Sequence, residues 1–357
     1  MRRRNVLGGI AGSLVAAMAP SAPRPDLAAR AAAVGRLAAS DYLSRADFMM
    51  YEVGEVRALH YAEVAAGHGC LLLASALSDR SILDGLHGRL RRMEAAKLPN
   101  SANHVDASIE GALLIPLGAS LSDRAVLARG LALADGQFRE TGPDGLTSQA
   151  RWWIDDVWMI GRLQLAAAAA TGEMKYRDRA ARMARLYVAR LQRPNGLFHH
   201  GPDARFFWGR GNGWVAVGLA EILAELPESH PDYQAVRQGY RRMMSALMRW
   251  QAPGGMWRQL IDHPGSWEES SATAMFGYAL SLGARHGVLA GESWRRAAER
   301  AWHALQPRIG ANGRLSGICV GTGQSRDAAY YLERPTVTGD LHGQAALLWL
   351  ASEMVRR

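Results

Sequence analysis

The chain has 357 residues, enough for a substantial core in one large domain or two ordinary ones, and its hydrophobic fraction of 48% is that of an ordinary soluble globular protein. Its formal charge of +9 comes mainly from Arg scattered along helical segments that also carry Asp and Glu, the pattern of solvated helix faces. Without an aromatic-interleaved basic stripe or a nucleic-acid motif, no nucleic-acid partner is expected, whereas an anionic small substrate suits the excess positive charge.

The opening MRRRNVLGGIAGSLVAAMAPSAP has a basic start, an apolar Gly/Ala-rich middle and small residues after it, the form of a secretory signal. The apolar run is too short for a membrane span, and Arg3 and Arg4 followed by Asn5, Val6 and Leu7 fit the twin-arginine type, which exports folded proteins. Residues 1–25 are therefore expected to be a twin-arginine signal peptide, and 26–357 a single domain delivered to the periplasm. Losing Arg2, Arg3, Arg4 and Arg24 with the signal peptide brings the charge to about +5. A cytoplasmic chain with a ragged start is the alternative. No other segment is long and apolar enough to cross a membrane, and no membrane partner is expected.

Helical patterns follow near 27–46, 56–77, 79–97, 104–118 and 122–139. The stretch PNSANHVDASIEG places Asn103, His104, Asp106 and Glu110 at the head of the fourth. A repeat then emerges from four Gly turns: DGLTSQ from Asp144, NGLFHH from Asn195, GGMWRQ from Gly254 and NGRLSG from Asn312, spaced by 51, 59 and 58 residues. Each turn follows an Arg-rich amphipathic helix, such as EMKYRDRAARMARLYVARLQRP. Each turn precedes a more apolar, small-residue helix such as NGWVAVGLAEILAEL or GDLHGQAALLWLASEM.

That alternation implies two layers, one facing solvent and one packed inside. About twelve helices make six hairpins, which can close into an all-α six-hairpin (α/α)6 barrel around a cavity, with short irregular or β-like turns at its mouth. Strands should be few and confined to the Gly turns; an open helical solenoid is the alternative. In the barrel, all Gly turns lie at the start of inner helices, so the residues after them converge on one mouth.

Those segments carry the chemistry. RWWIDDVWM, Arg151 to Met159, sets Asp155 and Asp156 among indoles in an apparently helical run, and eleven Trp against six Phe is itself unusual. An indole joins a flat apolar face to one N–H donor and suits stacking on sugar rings. Paired carboxylates serve general acid and base work because burial or a like-charged neighbour raises one pKa while the other group stays ionised. Adjacent helical residues point about 100° apart, so only one of the two faces a common ligand, and Asp106 is the best partner from another helix. Helix capping is the plain alternative for both Asp106 and Asp155.

Of His199 and His200, one is expected at the substrate and the other in the turn. Arg210 in FWGRGNGW could pair with a substrate carboxylate, with Trp208 and Trp214 as stacking walls. No metal spacing occurs, neither GRGNG nor GTGQSRD meets the requirements of a phosphate loop, and Ser270 with Ser271 reads as the opening of a helix after Glu268 and Glu269. Cys70 and Cys319 are expected as buried free thiols.

Residues PNSANHVDAS, DGLTSQARWWIDDVWM, RPNGLFHHGPDARFFWGRGNGWVAVG, GMWRQLIDHPGSWEESSATAMFGYAL and YYLERPTVTGDLHGQAALLW, in this order over roughly 40–355, resemble glycoside hydrolase family 105. These are the unsaturated rhamnogalacturonyl hydrolases, related to the unsaturated glucuronyl hydrolases. The resemblance implies the six-hairpin barrel, no metal or organic cofactor, and an oligosaccharide substrate ending in a 4,5-unsaturated uronic acid. The C4=C5 bond would be hydrated rather than the anomeric centre attacked, so carboxylate spacing would not report retention or inversion. It implies Asp155 as general acid/base and Asp106 as the second essential carboxylate. His200, Trp208, Arg210 and Trp214 are the implied substrate contacts, and Trp152 and His104 are expected to bind substrate with them. A monomer is favoured. An ordinary inverting glycosidase and a non-catalytic oligosaccharide-binding protein are the competing readings.

Overall fold

The computed structural model describes residues 27–356, so the expected leader lies outside the described residues. Its long helices are α1 (Leu27–Ser44), α2 (Tyr61–Leu77), α3 (Arg80–Ala95), α5 (Gly111–Leu121) and α6 (Arg124–Gln137), with the four-residue α4 (Val105–Ser108) ahead of α5. They continue with α7 (Asp156–Thr171), α8 (Met174–Leu191), α9 (Gly209–Glu225), α10 (Tyr233–Trp250), α11 (Ser270–Arg285) and α12 (Glu292–Leu305). Short α13 (Ala328–Leu332) then precedes α14 (Leu341–Val355).

The two layers follow from sequence pattern. Outer helices bury one stripe: α3 buries Ile82, Leu86, Leu90 and Met93, and α10 buries Val236, Tyr240, Met243 and Leu247, while their Arg residues, apart from the buried Arg89, occupy the remaining faces. Inner helices are apolar all round, and α9 is buried without a break from Gly209 to Leu223. Around the inner ring α2, α5, α7, α9, α11 and α14 touch in turn, and α14 packs against α2. The outer partner of α14 is α1, from the other end of the described chain. This contact closes an (α/α)6 barrel and removes the open solenoid.

The four Gly turns are one unit repeated. Each is closed by a backbone bond across the turn: Gly142 N to Leu146 O at 2.8 Å, Arg193 N to Leu197 O at 2.8 Å, Ala252 N to Met256 O at 2.9 Å and Gly310 N to Arg314 O at 2.9 Å. Gly145, Gly196, Gly255 and Gly313 take φ between +74° and +97° there, which side-chain-bearing residues rarely adopt.

Two expectations are corrected. A helix from residue 56 is replaced by a hairpin, β1 (Met50–Val53) with β2 (Val56–Leu59), because Gly54 at φ +59° permits a two-residue turn; α2 starts only at Tyr61. Strands are therefore not confined to the Gly turns, although the other two ladders are only two residues long: β3 (Trp257–Arg258) with β4 (Glu268–Glu269), and β5 (Ile318–Cys319) with β6 (Thr336–Val337). Cys70 and Cys319 are both buried and free.

Candidate active site

Asp155 and Asp156 separate at the start of α7. Helix geometry begins at Asp156, so Asp155 is the N-cap residue rather than lying several residues inside, and its side chain makes no capping bond. Asp156 is saturated. Its Oδ1 accepts from Arg151 Nε at 2.9 Å and Nη2 at 2.7 Å, and its Oδ2 accepts from Arg151 N at 2.8 Å and the Tyr187 hydroxyl at 2.7 Å. Asp155 points elsewhere: its buried Oδ2 has no protein partner and lies 3.7 Å from His200 Nε2, itself buried and unpartnered. Burial, assisted by the Asp156 charge, raises the Asp155 carboxyl to about 7 against the opposing pull of Arg151 and Arg210.

Asp106 is held the other way. Arg151 Nη1 donates to its Oδ2 at 2.7 Å, His104 Nδ1 lies 3.0 Å from the same atom, and Oδ1 is buried without a partner. Burial pushes this carboxyl up, but His104, Arg151 and His60 outweigh it and keep it below the ordinary range. His104, not Asp106, caps α4. Arg151 thus joins Asp106 to Asp156, and holds Asp106 below the ordinary carboxylate range beside Asp155, which burial raises to about 7.

His200 is fully buried, with its ring 4.6 Å from Trp208 and its Nδ1 2.8 Å from the Tyr331 hydroxyl. Burial first, then Arg210 and Arg151, lowers it to about 3, so it is neutral. His199 leans on Phe207 outside this cluster. Arg210 is buried under Trp208, 4.8 Å from the ring centre, and donates to the carbonyls of Cys319 at 2.5 Å and Val320 at 2.6 Å. It therefore anchors the β5 segment with two of its donors, while its Nε has no partner. Trp214 lies deeper, against Trp158, Trp349 and the edge of Tyr61, and the indole N–H groups of Trp158, Trp208 and Trp214 have no protein acceptor.

Trp152 is corrected. With φ +61° it turns outward and stacks on Tyr187 of α8 at 4.8 Å, beneath Arg190 at 4.1 Å. The indole at the site is Trp153, edge-on to His200 at 5.6 Å and under the Arg151 guanidinium at 5.0 Å.

Sequence reasoning also missed Tyr51, stacked near His104, and the group His60, Tyr61 and His342 on the facing wall. No motif marks Tyr51, His60 or Tyr61; Arg151 and His342 stand inside quoted stretches but carried no role. Ser270 and Ser271 open α11 beneath the capping Glu269. Among the described residues, no group of three or more His, Cys, Asp or Glu is placed to hold a metal ion.

All six inner helices start at this end, so their positive dipole ends face the pocket and favour an anionic ligand. The arrangement can protonate a bound molecule from Asp155 and stabilise positive charge with Asp106.

A family model described as Glycosyl Hydrolase Family 88 matches residues 36–357. Unsaturated rhamnogalacturonyl hydrolase YesR of Bacillus subtilis is 26% identical over 212 residues, 57% of this chain and 60% of that protein. An unsaturated 3S-rhamnoglycuronyl hydrolase of an Alteromonas species is 29% identical over 226 residues, 58% of this chain and 52% of that protein. The matches thus span between half and two thirds of these relatives. A crystal structure of a possible member of the GH105 family from Salmonella enterica superposes with a TM-score of 0.83 at 18% identity, covering 97% of this chain and 99% of that one. An unsaturated glucuronyl hydrolase from a Bacillus species gives 0.62 at 18% identity, covering 91% and 95%. At these identities the two structures speak for the fold.

Proposed function

Because this chain belongs to the glycosyl hydrolases of families 88 and 105, we propose that it removes the 4,5-unsaturated uronic acid from the non-reducing end of lyase-generated oligosaccharides. The observation that carries this reading is the pair of buried carboxyls in opposite states, Asp155 raised to about 7 and Asp106 lowered. An enol-ether C4=C5 bond is saturated by adding water across it, which needs a neutral acid close to carbon. Asp155 gives its proton to C4, water adds at C5, and the hemiketal opens and releases the next sugar. Asp106, held ionised by Arg151 and His104, stabilises the cation that forms between the two steps.

In this reading Trp153, Trp208 and Trp214 wall the sugar pocket, His200 orients the uronate beside Asp155, and the inner-helix N-termini attract its carboxylate. His104 acts through Asp106, and Arg210 holds the wall behind Trp208. Residues 26–357 form the catalytic domain of a periplasmic monomer, and residues 1–25 its twin-arginine leader. The experiment is the ultraviolet absorbance of lyase-made unsaturated disaccharides followed over time. Loss of the conjugated chromophore is expected; persistence across a broad panel, with saturated oligosaccharides cleaved instead, would sink the reading.

A further inference from the structure

The wall opposite Asp155 carries a chain of three groups with no role so far. The His342 Nδ1 lies 2.6 Å from Asp340 Oδ1, and His342 Nε2 lies 2.9 Å from the Tyr61 hydroxyl. Asp340 is held far below the ordinary carboxylate range: burial opposes this, but His342 and Arg210 prevail. Being ionised, Asp340 can only accept, so the imidazole proton sits on Nδ1 and Nε2 is the acceptor. The Tyr61 hydroxyl therefore donates to His342 and presents its lone pairs away from it. His342 is fully buried with both ring nitrogens taken up by Asp340 and Tyr61, so the phenol oxygen is the free end of the chain. It lies close enough to Asp155 that, after burial, this carboxylate is what most raises the phenol. An acceptor backed by an imidazole and a carboxylate is the arrangement that activates a hydroxyl for proton transfer.

We propose that Tyr61 is the base for the water that attacks C5, with His342 and Asp340 as the positioning residues that draw its proton away. The proposal rests on the hydration reading above. As the Asp155 O–H bond breaks and the C4–H bond forms, the water oxygen bonds to C5 and its O–H bond breaks toward Tyr61. The Tyr61 proton passes to His342 Nε2, and Asp340 stabilises the imidazolium. After ring opening His342 releases one proton to solvent through Tyr61 and Asp155 takes one up, so the enzyme returns to its starting state. Division of labour follows: the acid stands on α7 and the base on α2.

The test is steady-state bleaching of an unsaturated disaccharide by wild type, Tyr61→Phe, Asp340→Asn and the double variant. Asn keeps a capping oxygen for α14, which Asp340 now provides to His342 N, so Asp340→Asn should fold normally. Tyr61→Phe should lower kcat about 100-fold with KM changed less than about 3-fold. Asp340→Asn should lower kcat similarly, and the double variant should be no slower than Tyr61→Phe, since the carboxylate acts through the phenol. A raised KM with unchanged kcat, an Asp340→Asn variant at the wild-type rate, or losses that multiply would each overturn the proposal. If wild type bleaches nothing, the hydration reading has failed instead. The chain is then judged by nitrogen NMR of His-labelled protein, in which His342 must carry its proton on Nδ1 and its Nε2 signal must move in Tyr61→Phe; a His342 protonated on Nε2 overturns it.

Discussion

Adjacent residues of one chemical type have opposite environments at this site. Asp156 accepts four bonds from Arg151 and Tyr187, whereas Asp155 leaves one oxygen unpartnered in the pocket. Asp155→Asn should lower turnover about 1,000-fold while the protein stays folded, measured by bleaching alongside circular dichroism. The acid must be neutral, so kcat/KM should fall tenfold per pH unit above about 7, where the buried Asp155 loses its proton. Stability carries the same sign. The folded state holds a proton that the unfolded chain releases near pH 4, so this contribution is complete below pH 4 and lost as pH rises through 7, by at most about 4 kcal/mol. Asp155→Asn should flatten that window in urea unfolding. The contrast between the two residues was legible only as a 100° divergence, because the partner that claims Asp156, Tyr187, comes from a later helix. Trp152 and Trp153 were not separable at all, since the left-handed backbone at Trp152 decides which indole faces inward. Trp153→Ala should reduce turnover more than Trp152→Ala, the latter acting chiefly through the packing on Tyr187.

Helices and turns deliver these side chains to one place. The repeated Gly turn was legible because its conformation requires glycine at one position, and Asp144, Asn195 and Asn312 each accept a bond from the residue two further on. The β1–β2 hairpin was not, because its short strands compete with a helix pattern and the turn residue Gly54 stands alone. Inner helices also cross closely: a Cβ on Gly218 of α9 would meet Val157 O at 2.9 Å and Trp158 N at 3.0 Å on α7. Gly218→Ala should therefore cost about 1–3 kcal/mol in urea unfolding and disturb the helix that Asp155 precedes. Glu269 ties α11 to β5, accepting from Ser271 N, Ala272 N, Ser271 Oγ and Cys319 N. Its replacement by Ala should destabilise by about 2–4 kcal/mol, for four donors lose their buried acceptor.

At the scale of the molecule, closure of α14 on α2 completes the ring of six inner helices, so that the residues at their separate starts can meet. Periodicity told inner helices from outer ones but could not show closure, which depends on residues some 280 positions apart, such as Trp349 Nε1 donating to Ala65 O. The ring also gathers six helix dipoles of one sign, which no single segment reveals. The central claim is that Asp155 delivers a proton to carbon rather than to a leaving oxygen. The measurement that tests it most directly is turnover of an unsaturated disaccharide in heavy water, with the released uronic product read by NMR at early times. The account predicts one deuterium placed stereospecifically at C4 and loss of the double bond, both abolished in Asp155→Asn. Release of a uronic acid that keeps its C4=C5 bond and carries no deuterium at C4 would contradict it.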